Sequence, residues 1–351
     1  MTRLDRVRAR AAGQGARAAL ISHLPHVRWA TGFSGSNALL LVTEDGATLF
    51  TDGRYSEQAG QETDGRCDVV IASDLVVALA EHGGASGAVC VEAESLTVAR
   101  LSKLSSAIDA EWIESEGLLS RDVASKDADQ VEALRRAQAL TCSVFEAIVP
   151  FVGPGVTELD LAAEITYQHL RRGASAMSFE PIVAAGPRGA LPHARPSSRA
   201  FAPGDLVVID MGGVVDGYCA DLTRMISIGP PAPPQRAAVD AVTRALDAGI
   251  GAARAGVSGG EMDAAARDVL RDAGLEKYFT HSLGHGVGLE VHEWPRLSGQ
   301  VEHRVLEGAC VTVEPGVYVP GEFGVRIEDL VVVREGGAES LTPLSRDLVV
   351  V

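Results

Sequence analysis

The sequence predicts an α+β protein of two domains, in which a small α/β domain precedes a larger domain made of two similar helix-plus-sheet units. Three observations support this prediction: the chain length, alternating strands and helices in residues 1–120, and an internal repeat in the remainder. At 351 residues the chain is too long for one ordinary core. Its apolar content of 46% and charged content of 22% are ordinary for a globular protein.

The N-terminal part reads as a small α/β domain. Aliphatic runs bounded by turn residues predict strands at residues 18–22, 38–43, 47–51, 69–71 and 88–91. The segment 44–46 (Glu-Asp-Gly) is a hairpin turn, and a helix is predicted at 75–81. A polar stretch at 120–129 then leads into a long amphipathic helix at 128–149. The predicted domains are therefore residues 1–122 and 123–351.

The second part contains a faint internal repeat. Thr157 with Asp160, and Ser258 with Glu261, have the spacing of a helix capping box, and each pair follows a Gly-Val dipeptide. Capping boxes are common, so chance is one interpretation; the other is a duplicated unit with a site between its halves. Strands are predicted after each half, at residues 206–211, 218–228, 310–319 and 325–333.

Charge and cysteine usage exclude several classes of protein. The net charge of −16 is diffuse and argues against nucleic-acid binding, which requires clustered Lys and Arg. The five cysteines are far apart and odd in number, which favours a reducing cytoplasm over a disulfide framework. The first residues lack a signal-peptide core, and no apolar run reaches the ~18–20 residues of a membrane span. We therefore expect a cytoplasmic protein with no nucleic-acid or membrane partner.

Two aspartates are predicted to project together from a mostly apolar hairpin. Asp210 ends the apolar run 206–209, and Asp221 lies on the returning strand. A turn centred on Val215 and Asp216 would place them opposite each other, whereas a turn centred on Asp216 and Gly217 would make them a diagonal pair. Buried like charges are costly, and a metal cation removes that cost. The alternative is that both are exposed residues beside a turn.

Three histidines and two glutamates complete a possible ligand set. His281, His285 and His292 fall within twelve residues, and glycines flank His285 on both sides. No Lys-Ser/Thr follows, so a phosphate loop would leave the histidines unexplained. Glu314 and Glu328 each adjoin an apolar strand, where either alone would be a solvated charge. Together with both aspartates and His285 they favour a hard divalent ion, Mn(II) first, with Co(II), Fe(II) or Zn(II) as alternatives.

The local sequences around these ligands resemble the Xaa-Pro peptidases of the pita-bread metallopeptidases, which include prolidase and aminopeptidase P. The five matching segments are 209–212 (IDMG), 220–224 (ADLTR), 284–288 (GHGVG), 313–316 (VEPG) and 325–329 (VRIED). Segments 32–37 (GFSGSN) and 50–55 (FTDGRY) resemble the N-terminal domain of the same family. The resemblance implies a creatinase-type N-terminal domain and a catalytic pita-bread domain with pseudo-twofold helix–sheet units.

The resemblance also implies roles for individual residues. Asp210 and Asp221 would hold one of two divalent ions. The other ion would be held by Asp221, His285 and Glu314. Glu328 would bind both ions. Further positions matching the active site, as catalytic or substrate-binding residues, are His193, His281, His292, Arg296 and Arg326. A water shared by the two ions would attack the bond before proline, with Glu314 as proton shuttle and His193 or His292 donating to the oxyanion.

Two substrate classes remain open from the sequence. Arg296 is a cation suited to the carboxylate of a dipeptide, which favours an Xaa-Pro dipeptidase. The short N-terminal domain also resembles small bacterial aminopeptidases P, which act on longer peptides with proline second. A non-catalytic binding protein of this fold would lack ligands that this chain has. The family implies a homodimer in which Trp29, Phe33 and Tyr55 are either interface or core residues; Trp294 is likewise either a cleft wall or core.

Overall fold

The computed structural model describes all 351 residues, which form two compact units, Met1–Val123 and Ala124–Val351. The chain thus carries an N-terminal and a C-terminal unit, each with its own apolar core. No helix is both long enough and apolar enough to cross a membrane.

The N-terminal unit is one mixed sheet flanked by helices. Its helices are α1 (Arg3–Gly13), α2 (Leu24–Thr31), α3 (Gln58–Thr63), α4 (Leu75–His82), α5 (Val98–Ala107) and α6 (Ser120–Ala124), the last of which runs into the next unit. Its strands are β1 (Ala18–Ile21), β2 (Ala38–Thr43), β3 (Ala47–Thr51), β4 (Asp68–Ile71), β5 (Gly87–Glu92) and β6 (Ala110–Ser115). They are ordered β4-β3-β2-β1-β5-β6. The fully buried β1 lies near the middle, as expected for a strand that is apolar throughout.

The N-terminal aromatic residues divide between core and surface. Trp29 and Phe33 are buried, with 2% and 1% of their surface exposed. Tyr55 is half-buried, and its hydroxyl lies 2.6 Å from the Ser36 hydroxyl. Of the two interpretations left open by the sequence, Trp29 and Phe33 fit that of core residues.

The C-terminal unit packs two helix pairs against two larger sheets. Its helices are α7 (Ala128–Ile148), α8 (Glu158–Arg171), α9 (Pro233–Ala252) and α10 (Gly259–Asp272). Its first strands are β7 (Ala176–Met177), β8 (Ile182–Ala185), β9 (Leu206–Met211), β10 (Gly213–Val215), β11 (Tyr218–Cys219) and β12 (Leu222–Ser227). The later strands are β13 (Gly284–Gly286), β14 (Glu293–Leu297), β15 (Cys310–Val313), β16 (Gly316–Val319), β17 (Phe323–Arg326), β18 (Asp329–Arg334), β19 (Gly337–Ser340) and β20 (Val349–Val350). The two larger sheets are ordered β20-β12-β9-β8 and β14-β13-β15-β18-β19.

The internal repeat corresponds to a structural duplication. The α8 and α10 helices both begin with a complete capping box, at Thr157 and Ser258. Each capping residue also forms an isolated bridge to a distant segment, Thr157 to Ala200 and Ser258 to Arg304. The prediction of two similar helix-plus-sheet units is confirmed.

Three predicted strands are not continuous, and the prediction was wrong at those points. The segment 218–228 breaks at Ala220 and Asp221, 310–319 at Glu314 and Pro315, and 325–333 at Ile327 and Glu328. Each break coincides with a carboxylate of the predicted ligand set. An apolar pattern does not reveal such breaks, because the flanking residues stay buried on both sides.

Candidate active site

The two aspartates form a diagonal pair on one hairpin. Asp216 and Gly217 occupy the two turn positions with positive φ angles of 52° and 82°, which a primed two-residue turn requires. This turn sets the register, so that Thr223 on β12 lies opposite Asp210 on β9. Asp221 is two residues before Thr223 and therefore projects from the same face as Asp210.

A glycine-rich strand carries His285, the predicted histidine ligand. His285 lies on β13, between β14 and β15. A Cβ atom at Gly284 would lie 2.0 Å from the Thr312 carbonyl oxygen, so only glycine permits this close strand approach. His285 Nε2 lies 3.3 Å from Glu314 Oε1 and 3.6 Å from Asp221 Oδ2.

The glutamates complete a cluster between the two halves of the unit. Asp210, Asp221 and Glu328 each offer an oxygen within 4.8 Å of the others. The Thr223 hydroxyl in the first half donates to Glu328 Oε2 in the second, at 2.9 Å. With the contacts of His285, these distances bring all five predicted ligands into one cluster.

Burial and mutual repulsion perturb the acids of the cluster. Burial, and then the charges of Glu328 and Asp210, raise the pKa of Asp221 well above its usual value. Burial, and then the negative charges of Glu314 and Asp210, likewise raise the pKa of Glu328 well above its usual value. Burial acts to raise the pKa of Glu314, but the hydrogen bond and charge of His285 prevail and lower it. Burial opposes protonation of His285, yet Glu314 raises the pKa of that imidazole.

The donor set fits divalent cations. Asp210 Oδ1 and Glu328 Oε1 are buried and have no hydrogen-bond partner, although a buried carboxylate oxygen is normally satisfied. One guanidinium, that of Arg326, contacts the cluster and cannot neutralise four carboxylates. Four carboxylates and one imidazole are ligands that suit a pair of hard or borderline divalent ions.

The cluster forms part of a cleft of about 630 Å³. All the predicted site residues except Glu328 line it. His193 and His292 are exposed within it, and the His292 ring lies edge-on to His285 with ring centroids 4.4 Å apart. His281 is largely buried and hydrogen-bonds through Nε2 to the Tyr318 hydroxyl at 2.9 Å. Trp294 does not line the cleft and packs against His303.

The two predicted arginines have different environments. Arg326 is buried, and its Nη2 donates to Asp210 Oδ2 at 2.6 Å. Its other donors reach the Thr223 hydroxyl, the Tyr318 hydroxyl and the Pro192 carbonyl. Arg296 is exposed on β14, directly across from His285 on β13, and forms no ion pair or side-chain hydrogen bond. Arg326 is therefore committed to the protein, whereas Arg296 is available to a ligand.

Sequence reasoning missed several residues that support the ligands. Gln138 on α7 donates from Nε2 to the Asp221 carbonyl at 2.8 Å and accepts from the Asp221 N–H at 3.3 Å. Thr223 and Tyr318 bridge Arg326 to the rest of the site. Gln138 leaves a detectable signal, a polar residue on the apolar face of an amphipathic helix, four residues after Leu134.

Comparison with known proteins agrees with the predicted fold, a creatinase-type N-terminal domain followed by a pita-bread domain. The family model described as metallopeptidase family M24 matches residues 132–335, and that of the creatinase/prolidase N-terminal domain matches residues 3–122. Fold and site together define a metallopeptidase. The chain belongs to metallopeptidase family M24, which confirms the resemblance predicted from the ligand motifs and implies divalent metal ions.

Similar proteins include both kinds of Xaa-Pro peptidase. An uncharacterised peptidase of Bacillus subtilis is 34% identical over 334 residues, covering 94% of this chain and 95% of the relative. A solved Xaa-Pro dipeptidase from Bacillus anthracis superposes with a TM-score of 0.96 at 33% identity, covering 99% of both chains. An X-Pro aminopeptidase from Thermotoga maritima has a TM-score of 0.90 at 35% identity, covering 98% of this chain and 100% of its own.

Proposed function

We propose that this protein is a dinuclear metal-dependent Xaa-Pro dipeptidase that hydrolyses the peptide bond before proline. Support comes from the clustered ligands, from the family, and from the similarity to solved dipeptidases over nearly the whole chain. Proline's nitrogen has no hydrogen to donate once it is in a peptide bond, so a shaped apolar pocket suits it better than a paired acceptor. The lining residues Phe179, Pro181 and Val291 supply apolar surface in this cleft.

The unpaired Arg296 is the observation that favours a dipeptide over a longer peptide as the substrate. Its guanidinium belongs to the lining of the cleft and stands on the strand beside His285. A dipeptide with its scissile carbonyl at the metal cluster brings its C-terminal carboxylate within one residue of that point. An arginine forms charge-assisted, bidentate hydrogen bonds with a carboxylate, which matches this requirement.

The second candidate is an Xaa-Pro aminopeptidase acting on longer peptides. It is favoured by the Thermotoga maritima aminopeptidase, whose 35% identity to this chain exceeds the 33% of the Bacillus anthracis dipeptidase. The cleft also contains Arg195 and Glu180, whose exposed side chains lie 4.0 Å apart and offer polar groups to residues after proline.

In either case, the chain's own residues have defined tasks. Asp210, Asp221, His285, Glu314 and Glu328 would hold two divalent ions, and such a pair supplies a water with a pKa near neutrality when bound. Glu314, whose Oε1 lies 3.3 Å from His285 Nε2, would pass a proton toward the proline nitrogen. The exposed imidazoles of His193 and His292 are the donors available to the developing oxyanion.

We propose Mn(II) as the native metal, because oxygen ligands outnumber the single imidazole. Co(II), Fe(II) and Zn(II) are the alternatives that metal analysis of the purified protein will separate. We further propose a cytoplasmic homodimer in which the N-terminal domain, residues 1–122, contributes to oligomerisation and to the substrate cleft. The dispersed cysteines support that location, and sedimentation equilibrium tests the dimer.

The test measures proline released from Ala-Pro and Leu-Pro, and the first residue released from Arg-Pro-Pro, with Mn(II) and with chelator. We expect metal-dependent cleavage of the dipeptides and slower cleavage of the tripeptide. Cleavage of the tripeptide alone would select the aminopeptidase. Absence of metal-dependent cleavage of all three would reject both activities.

A further inference from the structure

A buried glutamate outside the metal cluster holds both ends of a segment that lines the cleft. Glu158, the first residue of α8, is fully buried. Its Oε1 accepts from the Ala185 N–H at 2.9 Å, and its Oε2 accepts from the Ser197 N–H at 2.9 Å and the Ser197 hydroxyl at 2.7 Å. Arg188 Nε donates to both oxygens, at 3.2 and 2.9 Å. Ala185 and Ser197 bound residues 186–196, which we call the cleft loop.

Comparison of the two halves of the unit shows that the start of helix α8 does not require the Glu158 carboxylate. Alignment of the two capping boxes places Gly259 where the first half has Glu158. The backbone bond is the same in both halves: the Glu158 N–H donates to the Arg199 carbonyl at 3.1 Å, and the Gly259 N–H donates to the His303 carbonyl at 3.3 Å. The helix start thus forms with or without a carboxylate. The carboxylate occurs in the first half only, where its hydrogen bonds hold the cleft loop.

The cleft loop carries His193, which has no hydrogen bond of its own to fix it. Arginines instead hold one backbone carbonyl on each side of this histidine, just before it at Pro192 and two residues after it at Arg195. Arg326 Nη1 donates to the Pro192 carbonyl at 3.1 Å, and Arg188 Nη2 donates to the Arg195 carbonyl at 2.5 Å. Since Glu158 orients Arg188, it acts on His193 both through the ends of the loop and through this second arginine.

We propose that Glu158 is a positioning residue for His193, holding the cleft loop so that this imidazole faces the substrate carbonyl. This inference rests on the proposed peptidase function. The carboxylate has four hydrogen-bond partners in or beside the loop and none in the metal cluster. Its loss therefore moves His193 while leaving the metal ligands in place.

The test combines Glu158→Gln with His193→Ala in a double-mutant cycle. Glutamine places an NH₂ group against donors that need an acceptor. We expect kcat/KM to fall about 10- to 100-fold, as a misplacement of about 1 Å does. In the His193→Ala background the same change should have little further effect, because coupled residues are not additive. Effects that multiply in the double variant would overturn the proposal, as would His193→Ala having no effect.

Two readouts do not depend on turnover. Amide exchange in the cleft loop should accelerate in Glu158→Gln, and the affinity for Mn(II), measured by calorimetry, should stay within about twofold of wild type. Unchanged loop exchange, or metal affinity that falls with activity, would overturn the proposal. If the wild-type protein cleaves no Xaa-Pro peptide, the proposed function fails, and the exchange measurement still decides whether Glu158 holds the loop.

A matched control and a milder variant complete the design. Asp160 lies on the same first turn, is exposed, and bonds only to Thr157 in the capping box. Asp160→Asn should weaken the helix cap and leave kcat/KM and loop exchange unchanged. If Glu158→Gln does not fold, Arg188→Met takes its place, because that side chain is 32% exposed. Arg188→Met should also accelerate loop exchange and lose its effect on kcat/KM beside His193→Ala; the opposite results would overturn the proposal.

Discussion

At the residue scale, the two arginines of the cleft differ in what they can still bind. Arg326 donates hydrogen bonds to Asp210, Thr223, Tyr318 and the Pro192 carbonyl. Its contact with Asp210 partly balances the charge of the acidic cluster. Arg296 has no such partners, although it lies one strand away from His285. The two arginines carry the same formal charge, but Arg326 is held by the protein and Arg296 is available to a ligand.

Replacing Arg296 with alanine should raise KM for Ala-Pro. A charge-assisted hydrogen bond contributes about 1.5–3 kcal/mol, which corresponds to about 10- to 150-fold in affinity. Ala-Pro amide, which lacks the carboxylate, should be cleaved equally by the variant and the wild type. Arg304→Ala is the charge-matched control, because Arg304 is exposed and does not line the cleft. Equal losses for the acid and the amide would contradict a carboxylate contact.

Replacing Glu328 with glutamine should change stability in opposite directions with and without metal. In chelator, the variant loses a buried carboxylate that other acids repel, so its melting temperature should rise, by about 2–4 °C per kcal/mol of repulsion removed. In Mn(II), the loss of a ligand should weaken metal binding by more than about 100-fold and abolish activity.

The control for that experiment is Glu322→Gln, which removes an exposed carboxylate in the turn between β16 and β17. Differential scanning calorimetry of both variants, with chelator and with Mn(II), measures the effect. If Glu328→Gln melts below wild type in chelator as well, the buried charge does not destabilise the metal-free protein, and our account of the cluster is wrong.

At the element scale, helix α7 stabilises a strand break. Asp221 lies between β11 and β12, where neither its N–H nor its carbonyl has a partner in the strand ladder. The Gln138 amide of α7 bonds to both groups and fixes the direction of the Asp221 side chain. A helix in the core therefore orients Asp221, a predicted metal ligand.

Replacing Gln138 with leucine should weaken Mn(II) binding by about 10- to 100-fold, the usual cost of losing a partner that orients a ligand. Gln130→Leu is the matched control. Gln130 is also buried on α7 and bonds the Tyr218 hydroxyl, but it does not contact a ligand. Both variants should lose stability, and only Gln138→Leu should lose metal affinity. Equal affinity losses in calorimetric titrations would show a general effect of core damage.

The same strand break marks the limit of what sequence alone predicts. Local patterns pointed to five residues that the structure brings together, because each adjoins an apolar run and has a distinctive neighbour such as Gly284 or Pro315. They did not reveal the breaks at Asp221 and Glu328, whose backbone groups are satisfied by side chains or strands distant in sequence. Glu158 also reads as an ordinary helical residue, since its partners lie 27 to 39 residues away. Gln138 stands out only as a polar residue on an apolar helix face, and its partners, 83 and 204 residues away, are not evident from the sequence.

At the scale of the whole molecule, the duplicated architecture explains why the acids can be concentrated in one place. Each half supplies two carboxylates from strand ends that face the other half, and bonds such as Thr223 to Glu328 join them. Near the same region, the buried Asp329 at the start of β18 pairs with Arg224 on β12 and with Arg346. The folded protein therefore holds four carboxylates that repel one another, twice the number in either half alone. Bound cations would relieve this repulsion, which adds to the free energy of metal binding.

That balance predicts how stability depends on pH. The pKa values of Asp221 and Glu328 are raised above ordinary values of 3.8 and 4.5, so the folded protein retains protons that the unfolded chain releases. Their contribution to stability is present below those values and is lost as pH rises through the raised pKa values. Glu314, whose pKa is lowered, opposes this trend, but it is outnumbered because the pKa of Asp210 is raised as well.

Metal binding should reverse this loss, because the cations bind the deprotonated ligands. We therefore expect the melting temperature in Mn(II) to exceed that in chelator by a gap that widens from about pH 5 to about pH 8. Groups outside the cluster, such as the buried His169, contribute equally to both curves and cancel in the difference. The gap should be much smaller in Glu328→Gln and unchanged in Glu322→Gln. A gap that stays constant or narrows as pH rises would show that protons and cations do not compete for these carboxylates.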